Sequence, residues 1–368
     1  MEVYIIFSII LFIFSFFEIF KIAKGKLQNL FLFVSFLGAV LIIGGRWYTG
    51  TDWLLYEYLF HESDTLGNAL DIWKTEIGYG ILSWLVRAIT DSYSTFLFVH
   101  AIIFYGLLII SFKKIVPYPQ TAFLFYFISS LGIVGSNRQL LGVVCILFGV
   151  SFLLNENKKK FIFLLIASIS FHATAYLGGS YFFLNRYFSK KIIVSGLLLA
   201  FIIGVSPIPL KVFGSLGAIN EHFMSKTEAY LSGAKAVASE YGLTIMGVFK
   251  RLFFFLLFFV VREKTISRFK NYNLLFNGYW VGILIYLFFS SSLNVMVSRG
   301  SLYFNIMECL LMSSIFIILK KPLDKMFFLI ILYVLGIVLM YQSIGEYPDL
   351  FDPYKGIWYN TDFFRKMH

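Results

Sequence analysis

Charged side chains are scarce in this chain: Asp, Glu, Lys and Arg supply 14% of its 368 residues, against about a quarter in soluble domains. There are only two cysteines, Cys145 and Cys309. Both fall in apolar runs, so they read as packing residues and not as a disulfide or a metal pair. No His-Glu-x-x-His, Cys-x-x-Cys, P-loop or Gly-x-Ser-x-Gly pattern occurs, which disfavours zincin, thiol-redox, nucleotide-hydrolysing and nucleophile-elbow chemistry. No polar stretch is long enough to fold as a soluble domain. Any chemistry must therefore use helix ends and connecting loops.

The chain is instead 59% hydrophobic, with a mean hydropathy of +0.80. Repeated apolar runs of membrane-spanning length predict an all-α polytopic membrane protein, with about ten transmembrane helices plus re-entrant or interfacial pieces. We expect one integral membrane domain over residues 1–368. The net charge of +11 does not point to nucleic acid. More than half of the basic residues fall in short connectors between apolar runs: Lys21, Lys24, Lys26; Lys113, Lys114; Lys158, Lys159, Lys160; Arg186, Lys190, Lys191; Arg262, Lys264, Arg268, Lys270; and Lys320, Lys321, Lys325. Such clustering marks cytoplasmic loops in contact with the lipid bilayer.

On that rule Val3 to Phe20 is an uncleaved first helix with its amino terminus outside. Spans follow near 30–45, 96–112, 119–136, 139–154, 192–205, 246–261, 272–290, 300–318 and 326–343. Residues 46–76 form a first external motif segment, 206–242 an external loop and 344–368 an external carboxyl tail. Ser225-Lys226-Thr227-Glu228 reads as a capping box within the loop. Ile77 to Ile89 is too short to span comfortably and reads as re-entrant or interfacial. The pieces Phe161 to Phe171 and Ala173 to Leu184 are flanked by lysines on both sides and broken at His172 and Gly178-Gly179. They predict a re-entrant hairpin with His172 near its tip.

Charge at the edge of a span is either an anchor or part of a substrate site. This topology places Arg46, Asp52, Glu76, Arg138, His172 and Arg299 at one face. Arginines suit a diphosphate because the guanidinium is permanently charged and binds phosphate with two donors. Arg46, Arg138 and Arg299 are the diphosphate-binding candidates. His172, Asp52 and Glu76 are the catalytic candidates, as groups able to take a proton from a sugar hydroxyl. Together they suit transfer of a glycan from a lipid diphosphate. Arg87, Lys250 and Arg251 read as interfacial anchors. Glu62-Ser63-Asp64 could hold a divalent cation only weakly, so no metal and no cofactor is expected. The aromatics Tyr347, Tyr354, Trp358 and Tyr359 read mainly as membrane-interface anchors.

The ordered set Arg46-x-x-x-Gly50-Thr51-Asp52-x-x-x-Tyr56, Glu76-x-Gly78-Tyr79, Asn137-Arg138-Gln139 and Phe171-His172-Ala173-Thr174-Ala175 resembles the EpsG family. These are bacterial exopolysaccharide and capsule polymerases related to Wzy-type O-antigen polymerases. The segments Arg299 to Phe304 and Asp352-Pro353-Tyr354-Lys355 resemble its later blocks. The resemblance implies a metal-independent, GT-C-like enzyme of the bacterial inner membrane with its site facing the periplasm. It would join repeat units carried on undecaprenyl diphosphate, with donor and acceptor glycans both lipid-linked. A chain-length regulator and a flippase are the implied partners. Tyr56, Asn137 and Gln139 would contact substrate. The alternatives are a flippase or transporter of lipid-linked oligosaccharide, and another membrane glycosyltransferase such as an O-antigen ligase. A flippase needs polar groups through the membrane depth; the one-sided placement of charge favours an enzyme.

Overall fold

The structure is a computed structural model that describes residues 1–50, 52–211, 245–290, 296–345 and 348–359. The Ser225–Glu228 capping box, most of the 206–242 loop, Thr51, Tyr347 and the tail beyond 359 lie outside the described residues. The regular elements among the described residues are all helical, with no named strand. In chain order the helices are α1 (Glu2–Ile19), α2 (Lys26–Ala39), α3 (Trp53–His61), α4 (Leu66–Ile72), α5 (Ile77–Arg87), α6 (Tyr93–Ile115), α7 (Pro119–Ser129) and α8 (Asn137–Leu153). They continue as α9 (Lys158–Phe171), α10 (Tyr181–Leu184), α11 (Lys190–Gly204), α12 (Ile245–Ile266), α13 (Tyr272–Phe289), α14 (Leu302–Asn305), α15 (Met307–Ser314) and α16 (Pro322–Ile344).

Six segments among the described residues are long and apolar enough to cross a membrane: Glu2–Ile19, Lys26–Gly44, Tyr93–Ile115, Tyr272–Phe289, Met296–Ile317 and Pro322–Ile344. The four other expected spans fall short for visible reasons. The 119–136 run is divided, because α7 has 11 residues and a 3-10 turn, Leu131–Ile133, follows it. Helices α8 and α11 have 17 and 15 residues, fewer than the roughly 20 that a perpendicular crossing needs. Helix α12 is long, but Lys250, Arg251, Arg262, Glu263 and Lys264 interrupt its apolar character.

The break expected at His172 is present. Helix α9 ends there because His172 takes an extended conformation, φ −156° and ψ 126°. A 3-10 turn, Ala173–Ser180, and the short α10 follow. Gly178 and Gly179 lie within that turn and make no second break. The 14 residues of α9 rise about 21 Å, too little to cross a hydrocarbon core of about 30 Å without tilt or thinning.

The chain forms two compact units, one of Met1–Tyr176 with Met312–His368 and one of Leu177–Leu311. In the first, α1 and α16 pack on α7, while α6 lies against α8 and α8 against α9. Helices α3 to α5 are fixed to the start of α6 by an aromatic cluster. Trp53 meets Tyr93 with ring centroids 5.2 Å apart, Phe60 meets Phe96 at 5.3 Å and Trp73 meets Tyr79 at 4.9 Å. On its other face α5 exposes Ile77, Ile81 and Leu85, as an interfacial helix would. In the second unit, α13 is the centre on which α10, α11, α12 and α14 pack.

A buried carboxylate joins α1 to α7. Glu18 accepts the Gln120 and Thr121 backbone N–H groups, each at 2.9 Å, and the Thr121 hydroxyl at 2.8 Å. These are orphan donors of a helix start with Pro119 at its head, and the anion also faces the positive end of the helix dipole. Glu18→Ala would strand two buried amides and the hydroxyl. We expect a loss of about 2 kcal/mol or more, read as a lower midpoint of thermal unfolding in detergent. An unchanged midpoint would mean that Glu18 does not hold the α1–α7 contact.

Candidate functional site

The site of the first unit is built in two layers. The lower layer starts where α2 passes through a π-turn, Val40–Gly44, into the loop that carries Arg46. The Arg46 side chain is only 1% exposed. It donates from NH1 to the Ile43 carbonyl and from NH2 to Asn137 Oδ1, each at 2.7 Å. Asn137 Nδ2 donates to the Tyr93 hydroxyl at 3.3 Å, and His100 Nε2 meets the Asn137 carbonyl at 2.8 Å. Burial pulls the Arg46 pKa down from its ordinary value, with neighbouring tyrosines opposing the shift. Guanidinium still keeps its charge in a protein. Its Nε has no protein partner, and a cavity of about 10 Å³, bordered by Arg46, His100, Tyr105 and Ser130, lies beside it. That is about the size of one water.

The carboxyl-terminal segment covers this layer. Trp47 N–H donates to the Lys355 carbonyl and Ile357 N–H to the Gly45 carbonyl, both at 2.9 Å. The Tyr354 hydroxyl donates to the Ile42 carbonyl at 2.9 Å. Trp358 packs edge-on against Phe98. Of the tail aromatics, Tyr354 and Trp358 thus make packing contacts around the Arg46 loop.

The upper layer begins one residue on from Asn137. Arg138, in the first turn of α8, donates from Nε to the Tyr56 hydroxyl at 2.9 Å. Its NH1 forms an ion pair with Glu76 Oε2. The guanidinium carbon lies 5.4 Å from the Tyr56 ring centre and 5.3 Å from that of Trp73. Glu76, at the N-cap of α5, presents its other oxygen 3.7 Å from His172 Nε2. On the far side of the ring, His172 Nδ1 meets Thr174 Oγ1 at 2.8 Å and accepts the Thr174 backbone N–H at 3.4 Å. A backbone donor on Nδ1 assigns the ring proton to Nε2, where it faces the carboxylate. The side chains of Glu76 and His172 are each 8% exposed and that of Arg138 is 27% exposed. An arriving anion would therefore meet Arg138 first.

Two glycines set these distances. Gly50 has φ +99°, and a Cβ there would fall 2.8 Å from Gly135 Cα, so the Arg46 loop presses against the turn before α8. A Cβ on Gly78 would fall 2.3 Å from Ser170 Oγ. That close approach of α5 to α9 is what lets Glu76 reach His172. Burial raises the Tyr56 pKa above its ordinary value, with Arg138 opposing the shift. Tyr56 stays a neutral phenol at physiological pH, accepting from Arg138 with its own proton available.

The expected residues thus separate by depth. Tyr56, Glu76, Arg138 and His172 meet in one cluster, while Asn137 and Arg46 support it from below. Asp52 is exposed and adjoins the cluster, since its carbonyl accepts Tyr56 N–H at 2.9 Å as the N-cap of α3. Gln139 is buried beside Arg138 on α8. Arg299 lies in the second unit, exposed on a π-turn, Met296–Gly300. Asp64 accepts from Asn68 Nδ2 at 2.8 Å within the α4 cap. Arg87 pairs with Asp91, and Arg251 lies 3.7 Å from the Tyr286 ring centre. Thr174 stood in the motif around His172, but sequence reasoning gave no part to Trp73, Tyr93 or His100. Of these, only His100 carried a signal, as a lone imidazole within an apolar run.

The family model described as the EpsG family matches residues 29–355. That span contains every residue of both layers. No curated protein and no solved structure matches the chain.

Asn137→Ala would leave the buried Arg46 NH2 and the Tyr93 hydroxyl unpartnered. The expected loss is about 2–4 kcal/mol of stability, seen as a lower thermal midpoint. Asp52→Asn, at an exposed position, should lower the midpoint far less. Equal midpoints for the two variants would argue against the layered arrangement.

Proposed function

The chain belongs to the EpsG family, a family of polysaccharide polymerases, and we propose that it joins undecaprenyl-diphosphate-linked repeat units at the periplasmic face of the bacterial inner membrane. The observation that carries this reading is the buried Glu76 carboxylate held between the guanidinium of Arg138 and the imidazole of His172. Such a triad places a cation for a leaving diphosphate beside a group that can take a proton. Membrane placement is supported by the six long apolar helices.

The reaction is a glycosyl transfer. A hydroxyl of the incoming repeat unit loses its proton to Glu76 as its oxygen bonds to the anomeric carbon of the donor. The bond from that carbon to the diphosphate oxygen breaks, and the electron pair leaves with the diphosphate. Arg138 stabilises the charge that develops there, in a partly dry site where such stabilisation is strongest. His172, with its ring proton towards Glu76, donates to the carboxylate and holds it in place while the other oxygen takes the proton.

Arg46 acts indirectly. Its guanidinium is committed to Ile43 and Asn137, so it sets the position of α8 and of Arg138. Tyr56 orients the Arg138 guanidinium and keeps a hydroxyl proton to offer substrate. Asp52, exposed beside the cluster, suits contact with sugar hydroxyls. Arg299 is a separate diphosphate-binding candidate on the second unit.

The test is polymer length in cells whose only copy is Arg138→Ala or Glu76→Gln, at wild-type protein abundance. We expect long chains to be lost and single lipid-linked repeat units to accumulate outside. Loss of general-base assistance in Glu76→Gln should cost about 10²- to 10⁴-fold in rate. Accumulation of the units on the cytoplasmic face would point instead to a flippase. Normal polymer with units no longer passed to a final acceptor would point to a ligase. Unchanged glycans in both variants would reject the site.

A further inference from the structure

We propose that the donor diphosphate switches on the proton acceptor of this site by taking the place of Glu76 on Arg138. The inference rests on the polymerase reading and adds an order of events to it. In the structure, Glu76 is not available to a substrate hydroxyl, because Oε2 is held in the ion pair with Arg138 and Oε1 faces His172. The same guanidinium is the most exposed cation of the cluster. One group therefore has two claimants, a carboxylate bound now and an anion of higher charge arriving from outside.

The geometry favours exchange over simple addition. Arg138 is anchored through Nε to the Tyr56 hydroxyl at 2.9 Å and lies over Trp73, so it can change the partner of NH1 without moving its plane. A diphosphate carries more negative charge than one carboxylate and presents several acceptor oxygens to the fork. Once displaced, Glu76 Oε2 gives up the Arg138 hydrogen and keeps its lone pairs for the acceptor hydroxyl. Its negative charge is then compensated from the other side by His172, whose Nε2 is 3.7 Å from Oε1. No bond to hydrogen is made or broken in the exchange itself. Before the donor is seated the proton acceptor is masked, so the donor must bind before the acceptor can react.

The exchange leaves a mark on His172. Glu76 faces that ring from the start of α5, and Arg138 of α8 acts on it through Glu76. Tyr56 of α3 stands behind Arg138, and Thr174 of the following turn contacts Nδ1. With Arg138 drawn to an anion, a carboxylate no longer neutralised by arginine faces the imidazole and favours its protonated form. An opposite charge at that range moves a titration by about one pH unit or more.

The probe is inorganic pyrophosphate, added to the full chain in lipid nanodiscs. The readout is NMR titration of the His172 ring, assigned by difference from His172→Gln, with the His100 resonance reporting an intact fold. We expect pyrophosphate to raise the His172 midpoint by about one pH unit. Arg138→Ala should abolish both binding and shift. Glu76→Gln should keep the binding and lose the shift. An unmoved midpoint in wild-type protein that binds pyrophosphate would overturn the proposal. So would an equal shift in Glu76→Gln, because the anion would then act on His172 directly, and so would failure of wild-type protein to bind at millimolar pyrophosphate. The polymerase reading fails separately, in the polymer-length assay. Lost polymer in Arg138→Ala with an unmoved wild-type titration would remove only the exchange. A moved titration with normal polymer would remove the polymerase role and with it the meaning of the switch for catalysis.

Discussion

The hydrogen bond from the Arg46 guanidinium to the Asn137 side chain is the contact on which the rest of the site depends. A charged group with 1% exposure is tolerated only when its donors meet acceptors, because the low-dielectric interior magnifies any that are left alone. Arg46 meets two, one in the π-turn before its loop and one on α8, and its Nε borders the water-sized cavity. Asn137 in turn engages Tyr93 and, through its carbonyl, His100 of α6. Three segments distant in sequence are thereby locked at one height, and the next residue of α8 is Arg138.

Above this lock the cluster is spare. Arg138, Glu76 and His172 form a row in which each neighbour is of the opposite or opposable charge. Tyr56 and Trp73 flank the cation, and Thr174 closes the far side of the imidazole. Each of these groups comes from the end of a helix or from the turn beside one, with the exception of Tyr56 within α3. Helix ends suit this work because they offer position without the mobility of a long loop, and their unpaired backbone groups already face outward. The cost is borne by close backbone approaches, at Gly50 against Gly135 and at Gly78 against Ser170.

Much of this was legible in the chain itself. The apolar runs gave the class, and the break at His172 was visible as a polar interruption between two short pieces. The grouping of Glu76, Arg138 and His172 could be expected because charges at span ends are costly and so tend to have a purpose. What could not be read was depth. Arg46 and Arg138 look alike as lone arginines after apolar runs, yet one is sealed beneath Asn137 and the other opens outward, a difference set by tertiary packing and by Tyr354 to Ile357 folding over the loop. Span lengths were also misjudged where tertiary contacts end a helix early. The division of 119–136 into α7 and a 3-10 turn is one case, with the Gly132 amide bonded to Ser343 on α16. Trp73 and Tyr93 escaped notice because an aromatic in an apolar context carries no mark of the polar group it will touch.

The segment that covers the Arg46 loop comes after the last apolar helix, and this bears on how the protein is made. Arg46 leaves the ribosome early and enters the membrane with its helix pair, long before residues 354–357 exist. Until residues 354–357 are made, its loop lacks the carbonyl and amide partners that finally cover it. The row of Arg138, Glu76 and His172 above it can reach its final geometry only after residues 354–357 have been made. Chains that stop before residue 354, whether stalled or cut short, would be inserted in the bilayer but would lack the cover that completes the Arg46 layer.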